Sequence, residues 1–424
     1  MLRRLALIVI LMWIAPGRAA GYSVLAHEAT IDVNWESTIA PLLRQRFPGV
    51  TADALMQARS YAYGGSVIQD LGYYPFGSRF FSNLLHYVRS GDFVTALLRD
   101  AATVDEYAFA IGALAHYAND NTGHPEAVNR SVPLAFPKLR LEHGNTVTYV
   151  DAPAQHVIVE FSFDVVQAAG GAYLPDAYQR LIGFRVATPL LERAFLEVYG
   201  LEMKDVFLDM DRSIATYRYS VSQIIPALTE AAWRDKREEI VALHPQLQRS
   251  GFVFAFGRDA FEREYGRDYQ RPGWFARLLG FIYRILPKIG PLKPLSFKTP
   301  SAEAEALFTK SFRDASARLR EELRDMRNPR GQLPNTNLDT GKAARHGDYS
   351  LADDTHGELV ERLVGQQFSH ADGPLRQTLL AYYGPDPRPS ADNRKERKHW
   401  QRVGRGLEAM RLAADAGRRE PATR

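Results

Sequence analysis

Residues Asp105–Pro125 read "DEYAFAIGALAHYANDNTGHP". Apolar residues return there at three- and four-residue spacing, which predicts a helix running at least to Asp120. On such a helix His116 and Asp120 stand at i and i+4. Their Cβ atoms would be roughly 6 Å apart on one face, close enough to share one metal ion. His124 follows four residues later. The same periodicity recurs in "ALMQARSYAYGGSVIQD", "DFVTALLRDAATVDEYAFAIGALAHYAND" and "PLLERAFLEVYGL". The stretch "AQHVIVEFSFDVVQAA" also fits a helix, although its β-branched residues would suit a strand. Thr51 and Ser37 are candidate helix caps, and Pro75, Pro125 and Pro153 punctuate the pattern. Alternating strand-type runs are scarce, so the expected fold class is all-α.

A chain of 424 residues with 46% hydrophobic and 11% aromatic residues can bury a large core. Its net charge of +4 is unevenly spread. Residues 387–424 hold 11 Lys/Arg against five Asp/Glu, and the remainder holds 42 against 44. A nearly neutral body argues against a broadly cationic nucleic-acid surface. The start, "MLRR" followed by "LALIVILMWIA" and "PGRAAG", reads as an export signal over residues 1–21, with a short uncleaved anchor as the alternative. Cleavage after Gly21 puts Ala19 at −3 and leaves Tyr22 as the mature N-terminus. With no cysteine there is no disulfide framework. The expected organisation is a catalytic body over 22–235, a mostly helical C-terminal extension over 236–386, and a flexible basic tail over 387–424. The expected location is exported, periplasmic or secreted, with association at a membrane surface left open.

Six of the 11 histidines (His27, His86, His116, His124, His143 and His156) fall between residues 27 and 156. His156 and Glu160 repeat the i, i+4 arrangement. One such pair usually marks a solvated helix face. Six histidines interleaved with carboxylates, several in apolar settings such as "VLAHE", "NLLHYV" and "ALAHYA", point to a multinuclear zinc site with nitrogen and oxygen ligands.

In this order of residues the chain resembles the zinc-dependent phospholipase C and P1/S1 nuclease superfamily. The stretch "YAYGGSVIQDLGYYPFGSRFFSNLLHYVRSGDF" is similar to bacterial exported phospholipase C-like members. The resemblance implies an all-helical body over about residues 22–235 holding three zinc ions. It implies Asp70, His86, His116 and Asp120 on one zinc. Tyr22, through its amine and carbonyl, His27 and Asp120 would take a second, with Asp120 bridging. His124, His156 and Glu160 would take a third. It also implies that the trinuclear cluster activates water for in-line attack on phosphorus, with Asp70 and Asp120 as the catalytic carboxylates. Members of the superfamily usually carry a Trp where this chain has Tyr22. His143 fills no slot and is expected to be a loop histidine.

The substrate class is a phosphodiester: a phospholipid by preference, with single-stranded nucleic acid as the alternative. The stretch "RPGWFARLLGFIYRILPKIGPLKPL", residues 271–295, suits either a membrane-surface contact or a core helix over the body. A zinc protein without catalysis, binding a membrane or partner, is the third reading. The chain has no G-x-S-x-G elbow, no P-loop and no Rossmann fingerprint.

Overall fold

The computed structural model describes residues 24–169, 185–220, 236–242, 297–325, 332–384 and 394–419. Tyr22, residues 1–21 and the 271–295 stretch lie outside them. The described residues are almost entirely helical, as the periodicity predicts. In chain order the helices are α1 (Val24–Asn34), α2 (Ala40–Arg46), α3 (Ala52–Val67), α4 (Arg79–Tyr87), α5 (Ser90–Asp100), α6 (Val104–Gly123), α7 (Asn129–Ala135), α8 (Pro137–His143) and α9 (Pro153–Ala169). They continue with α10 (Thr188–Tyr199), α11 (Met203–Val206), α12 (Met210–Tyr219), α13 (Ala302–Asp325), α14 (Ser350–Gly365), α15 (Gly373–Tyr383) and α16 (Arg394–Arg419). One two-stranded antiparallel hairpin pairs Thr336–Asn337 with Lys342–Ala343.

Local chemistry sets these boundaries. The Thr51 hydroxyl accepts the Ala54 N–H at 3.1 Å and starts α3. Ser78 and Thr103 cap α4 and α6 in the same way. Ser37 is not a cap: it lies within a π-helical turn, Trp35–Ile39, and its hydroxyl pairs with Thr38. The "AQHVIVEFSFDVVQAA" stretch is helical in α9. Its buried Val159, Val165 and Val166 join the apolar core.

Helix α6 is the axis of the molecule. Every residue from Tyr107 to Gly123 is buried, the pattern of a helix enclosed on all sides. Helices α1, α3, α5 and α13 pack around it. Gly65 and Gly112 let α3 and α6 touch backbone to backbone. A Cβ on Gly65 would lie 1.9 Å from the Phe109 carbonyl, and one on Gly112 would lie 2.0 Å from that of Ala62. Helical glycine costs about 1 kcal/mol relative to alanine; here close packing offsets it.

The core runs across residue 235. One buried cluster holds Ile31, Phe81 and Phe109 together with Leu319, Leu359, Leu375 and Leu407. Helix α13 docks on α1, where Asn34 Nδ2 donates to Ser316 Oγ at 2.8 Å and Arg320 donates back to Asn34 Oδ1 at 2.9 Å. The basic tail is not loose over its described part. Residues 394–419 form α16, and Val403, Leu407 and Met410 are fully buried on one face of it, against α14 and α15.

Candidate metal centre

The expected ligands arrive on separate elements that are individually pinned. Helix α1 has its first N–H groups capped from across the bundle. Asp164 on α9 accepts Leu25 N–H at 2.7 Å and Ala26 N–H at 3.0 Å, which fixes the turn carrying His27. Asp70 sits in a 3₁₀ turn, Ile68–Tyr73, that follows α3. Gly72 N–H donates to Ser82 Oγ on α4 at 2.8 Å, and Gln69 Nε2 donates to the Ala113 carbonyl on α6 at 3.0 Å. These bonds hold Asp70 between α4, which carries His86, and α6, which carries His116 and Asp120. His124 opens a π-helical turn after α6, and His156 and Glu160 lie on α9.

The fold brings eight of these residues into three buried groups that can each hold a metal ion: His27 with His116 and Asp120, Asp70 with His86 and His116, and His124 with His156 and Glu160. Zinc bound at about 2.0–2.1 Å in a tetrahedron separates its nitrogen and oxygen ligands by about 3.3 Å. Four of the distances among Asp70, His86, His116 and Asp120 are close to that length. Asp70 Oδ1 is 3.4 Å from His86 Nε2, and His86 Nε2 is 3.4 Å from His116 Nε2 and 3.3 Å from Asp120 Oδ2. His116 Nε2 is 3.0 Å from Asp120 Oδ2. The outer nitrogens face backbone oxygen: His86 Nδ1 is 2.7 Å from the Ser82 carbonyl, and His116 Nδ1 is 2.9 Å from that of Ser66. Protonating each Nδ1 leaves the Nε2 lone pair turned inward, the arrangement metal-bound imidazoles use.

Asp120 faces two ways. Oδ2 meets His86 and His116, and Oδ1 lies 3.4 Å from His27 Nε2 and 3.7 Å from His124 Nε2. Both oxygens are buried without a hydrogen bond among the described residues. A carboxylate so placed asks for a cation. The rings of His27 and His116 stack with centroids 4.1 Å apart, and Asn119 meets His27 Nδ1 at 3.2 Å. In the third group His156 Nδ1 is 2.7 Å from Glu160 Oε1.

The electrostatics follow from packing bases and carboxylates together out of water. Burial lowers the His86 pKa, but the Asp120 and Asp70 carboxylates outweigh it and raise it to about 10. Burial likewise opposes charge on His156, and Glu160 with Asp339 raises it to about 10. His27 goes the other way, pushed well down by burial and by His116. Burial raises Asp70. Asp120 is held well below the carboxylate range, because His116 and His124 outweigh its burial.

His143 is outside the cluster. It ends α8, a third exposed, 3.6 Å from Asp151. Asp339 is the residue that spacing does not reveal. It comes from the polar loop of the C-terminal region and is fully buried, with Oδ1 3.0 Å from His124 Nδ1 and 3.5 Å from His156 Nε2. Asn119 and Asn129 also touch the histidines, at His27 Nδ1 and His156 Nε2. Asn119, inside "HYAND", could have been found as a neighbour of the motif. Nothing in "NTNLDTG" marks Asp339 as its companion.

Residues 37–208 match the family model for zinc dependent phospholipase C. The matched residues include Asp70, His86, His116, Asp120, His124, His156 and Glu160. His27 precedes the matched residues and Asp339 lies well beyond them. No curated protein and no solved structure matches the chain.

Proposed function

We propose that the protein is a phospholipase C: a hydrolase that cleaves the bond between phosphate and the glycerol oxygen of a phospholipid. The observation that carries this reading is the cluster of Asp70, His86, His116 and Asp120, four of whose edges are 3.0–3.4 Å, within residues that match the family model. In this reading Asp70, His86, His116 and Asp120 hold one ion. His27, Asp120 and the amine and carbonyl of Tyr22 hold a second, and His124, His156 and Glu160 hold a third. Zinc bound there supplies Lewis acidity, lowering the pKa of water toward neutrality and neutralising charge on phosphoryl oxygens.

The chain's own residues do the rest. Asp120 keeps the first two groups in register, because one side chain faces both. Asp70 turns Oδ1 to His86 and Oδ2 toward His27 at 4.0 Å. Burial makes its carboxylate more basic, which suits a group that orients water and takes its proton at Oδ2 as the oxygen–phosphorus bond forms and the bond from phosphorus to the glycerol oxygen breaks, leaving that proton for the departing oxygen. Tyr73 and Tyr149 cover the cluster, 5.7 Å ring to ring from His86 and His156. With Tyr74, Val157 and Leu351 they form a small apolar cluster beside the metal groups.

Export with signal cleavage before Tyr22 belongs to the same reading, since only a free Tyr22 amine can ligate. Among the described residues no helix is long and apolar enough to cross a membrane. The test is metal analysis of the mature protein beside turnover of a phosphatidylcholine analogue and of single-stranded DNA. Close to three zinc ions with lipid turnover is the expected result. DNA turnover alone would refute the lipid assignment, and absence of zinc would refute the reading. One extra residue before Tyr22 should cost one zinc; an unchanged count would remove Tyr22 from the ligand set.

A further inference from the structure

Asp339 is held more firmly than a loop carboxylate needs to be. Its Oδ2 accepts the Tyr349 hydroxyl at 2.8 Å and the Tyr149 N–H at 3.1 Å. Its backbone N–H donates to Asn337 Oδ1 at 2.9 Å, and its carbonyl accepts Asn129 Nδ2 at 2.8 Å. The segment around it is tied to the body as well. Leu338 N–H donates to the His86 carbonyl at 3.0 Å, Tyr117 donates to that of Pro334 at 2.7 Å, and Thr336 Oγ1 donates to Asn121 Oδ1 at 2.7 Å.

All this leaves Oδ1 aimed between two imidazoles. It lies 3.0 Å from His124 Nδ1 and 3.5 Å from His156 Nε2. These are the nitrogens turned away from the rest of the cluster. The other nitrogen of His156 faces Glu160 at 2.7 Å, and the other nitrogen of His124 faces Asp120 at 3.7 Å. Asn129 adds to the hold: its Oδ1 is 2.7 Å from His156 Nε2 while its amide donates to the Asp339 carbonyl. The two rings stand nearly parallel, 14° apart, with Asp339 serving both.

We propose that Asp339 is a positioning residue of the third metal group, fixing the rings of His124 and His156 so that their inner nitrogens converge with Glu160. A carboxylate behind an imidazole sets its tautomer and orientation and makes its inner nitrogen the better donor. Here one carboxylate backs His124 directly and faces His156 together with Asn129 Oδ1. It comes from outside residues 37–208, so the C-terminal region is part of the metal centre rather than an appendage to it. The proposal rests on the metal reading above.

The experiment is zinc titration of the full-length mature protein against a competing chelator, comparing wild type, Asp339→Asn and Tyr349→Phe. Thermal unfolding of each is measured with and without zinc. Asp339→Asn keeps the shape of the side chain and an acceptor for Tyr349. It should weaken one zinc by about 10–100-fold and leave the other sites at wild-type affinity. Its zinc-free unfolding temperature should stay near that of wild type. Tyr349→Phe removes a tether without touching Oδ1 and should bind the third zinc more tightly than Asp339→Asn does. Wild-type zinc affinity at every site of Asp339→Asn would overturn the proposal while the metal reading stood. Equal destabilisation of zinc-free and zinc-loaded Asp339→Asn, with unchanged affinities, would reduce Asp339 to a structural tether. A wild-type chain that binds no zinc would overturn both.

Discussion

His116 and His356 are both buried residues in the middle of helices, and both offer Nδ1 to a backbone carbonyl: Ser66 at 2.9 Å and Ala352 at 2.8 Å. What faces the rest of the ring differs. His116 Nε2 has Asp120 at 3.0 Å and His86 at 3.4 Å. His356 lies flat on Tyr382, ring centroids 3.5 Å apart and 3° from parallel, with Tyr383 edge-on. One site collects carboxylates, with both Asp120 oxygens and Asp70 Oδ1 lacking a hydrogen bond among the described residues, and the other collects aromatic rings. A buried imidazole alone therefore says little about metal. The charge beside it, and whether that charge is otherwise satisfied, separates a ligand from a packed core residue.

The sharpest way to break that contrast is to take the charge from Asp120. Asp120→Asn should lower turnover by more than about 100-fold, beyond what an outer-shell change costs, and should release zinc while far-UV circular dichroism stays helical. His356→Gln should leave zinc content and turnover near wild type. Normal turnover in the first variant, or lost zinc in the second, would end the distinction.

Gly112→Ala tests the frame that holds the first group. The added Cβ meets the Ala62 backbone at 2.0 Å, so α3 and α6 must separate, and Asp70 with them. We expect a loss of about 3 kcal/mol, the upper end for overpacking, with weakened zinc binding, read by denaturant titration and metal analysis. Gly365→Ala, at the end of α14 with open space around it, should be neutral or stabilising by up to about 1 kcal/mol. Equal effects of the two would show that the α3–α6 contact does not matter.

Zinc itself should stabilise the body. A site saturated 100-fold above its dissociation constant contributes about 2.7 kcal/mol. Chelation should thus lower the unfolding temperature of wild type and of His356→Gln by the same amount. A smaller drop in His356→Gln would place His356 in the metal network.

The sequence exposed the parts of this architecture that are local or periodic. The i, i+4 pairs His116–Asp120 and His156–Glu160 fall on real helices, and Thr51 caps α3 as its position predicts. What it hid is long-range or masked by composition. Asp339 reaches the cluster through a loop whose ties to Ser90, Tyr117 and Asn129 leave no trace in spacing. Val403, Leu407 and Met410 stand at helical spacing, but the basic residues among them read as a solvated tail. Ser37 looked like a cap because the helix boundary there is a π-helical turn, which no cap signal announces.

The effect of pH on His356 carries a sign. Burial lowers its pKa to about 4, against about 6.5 in an unfolded chain. Between those values the unfolded chain binds a proton that the folded chain refuses. Stability from this group is complete above pH 6.5, falls as pH drops toward 4, and levels off below. At pH 5 the loss should be about 2 kcal/mol. Under the proposed function acid would also strip zinc from the histidines that hold it, so absolute stability would mix two processes. The difference between wild type and His356→Gln at each pH cancels the zinc contribution, because both proteins carry the same metal groups. That difference should be constant above pH 7 and shift by about 2 kcal/mol in favour of His356→Gln at pH 5, read from urea unfolding. A flat difference would mean that His356 titrates as an exposed histidine does, and that its aromatic packing does not disfavour the charged ring.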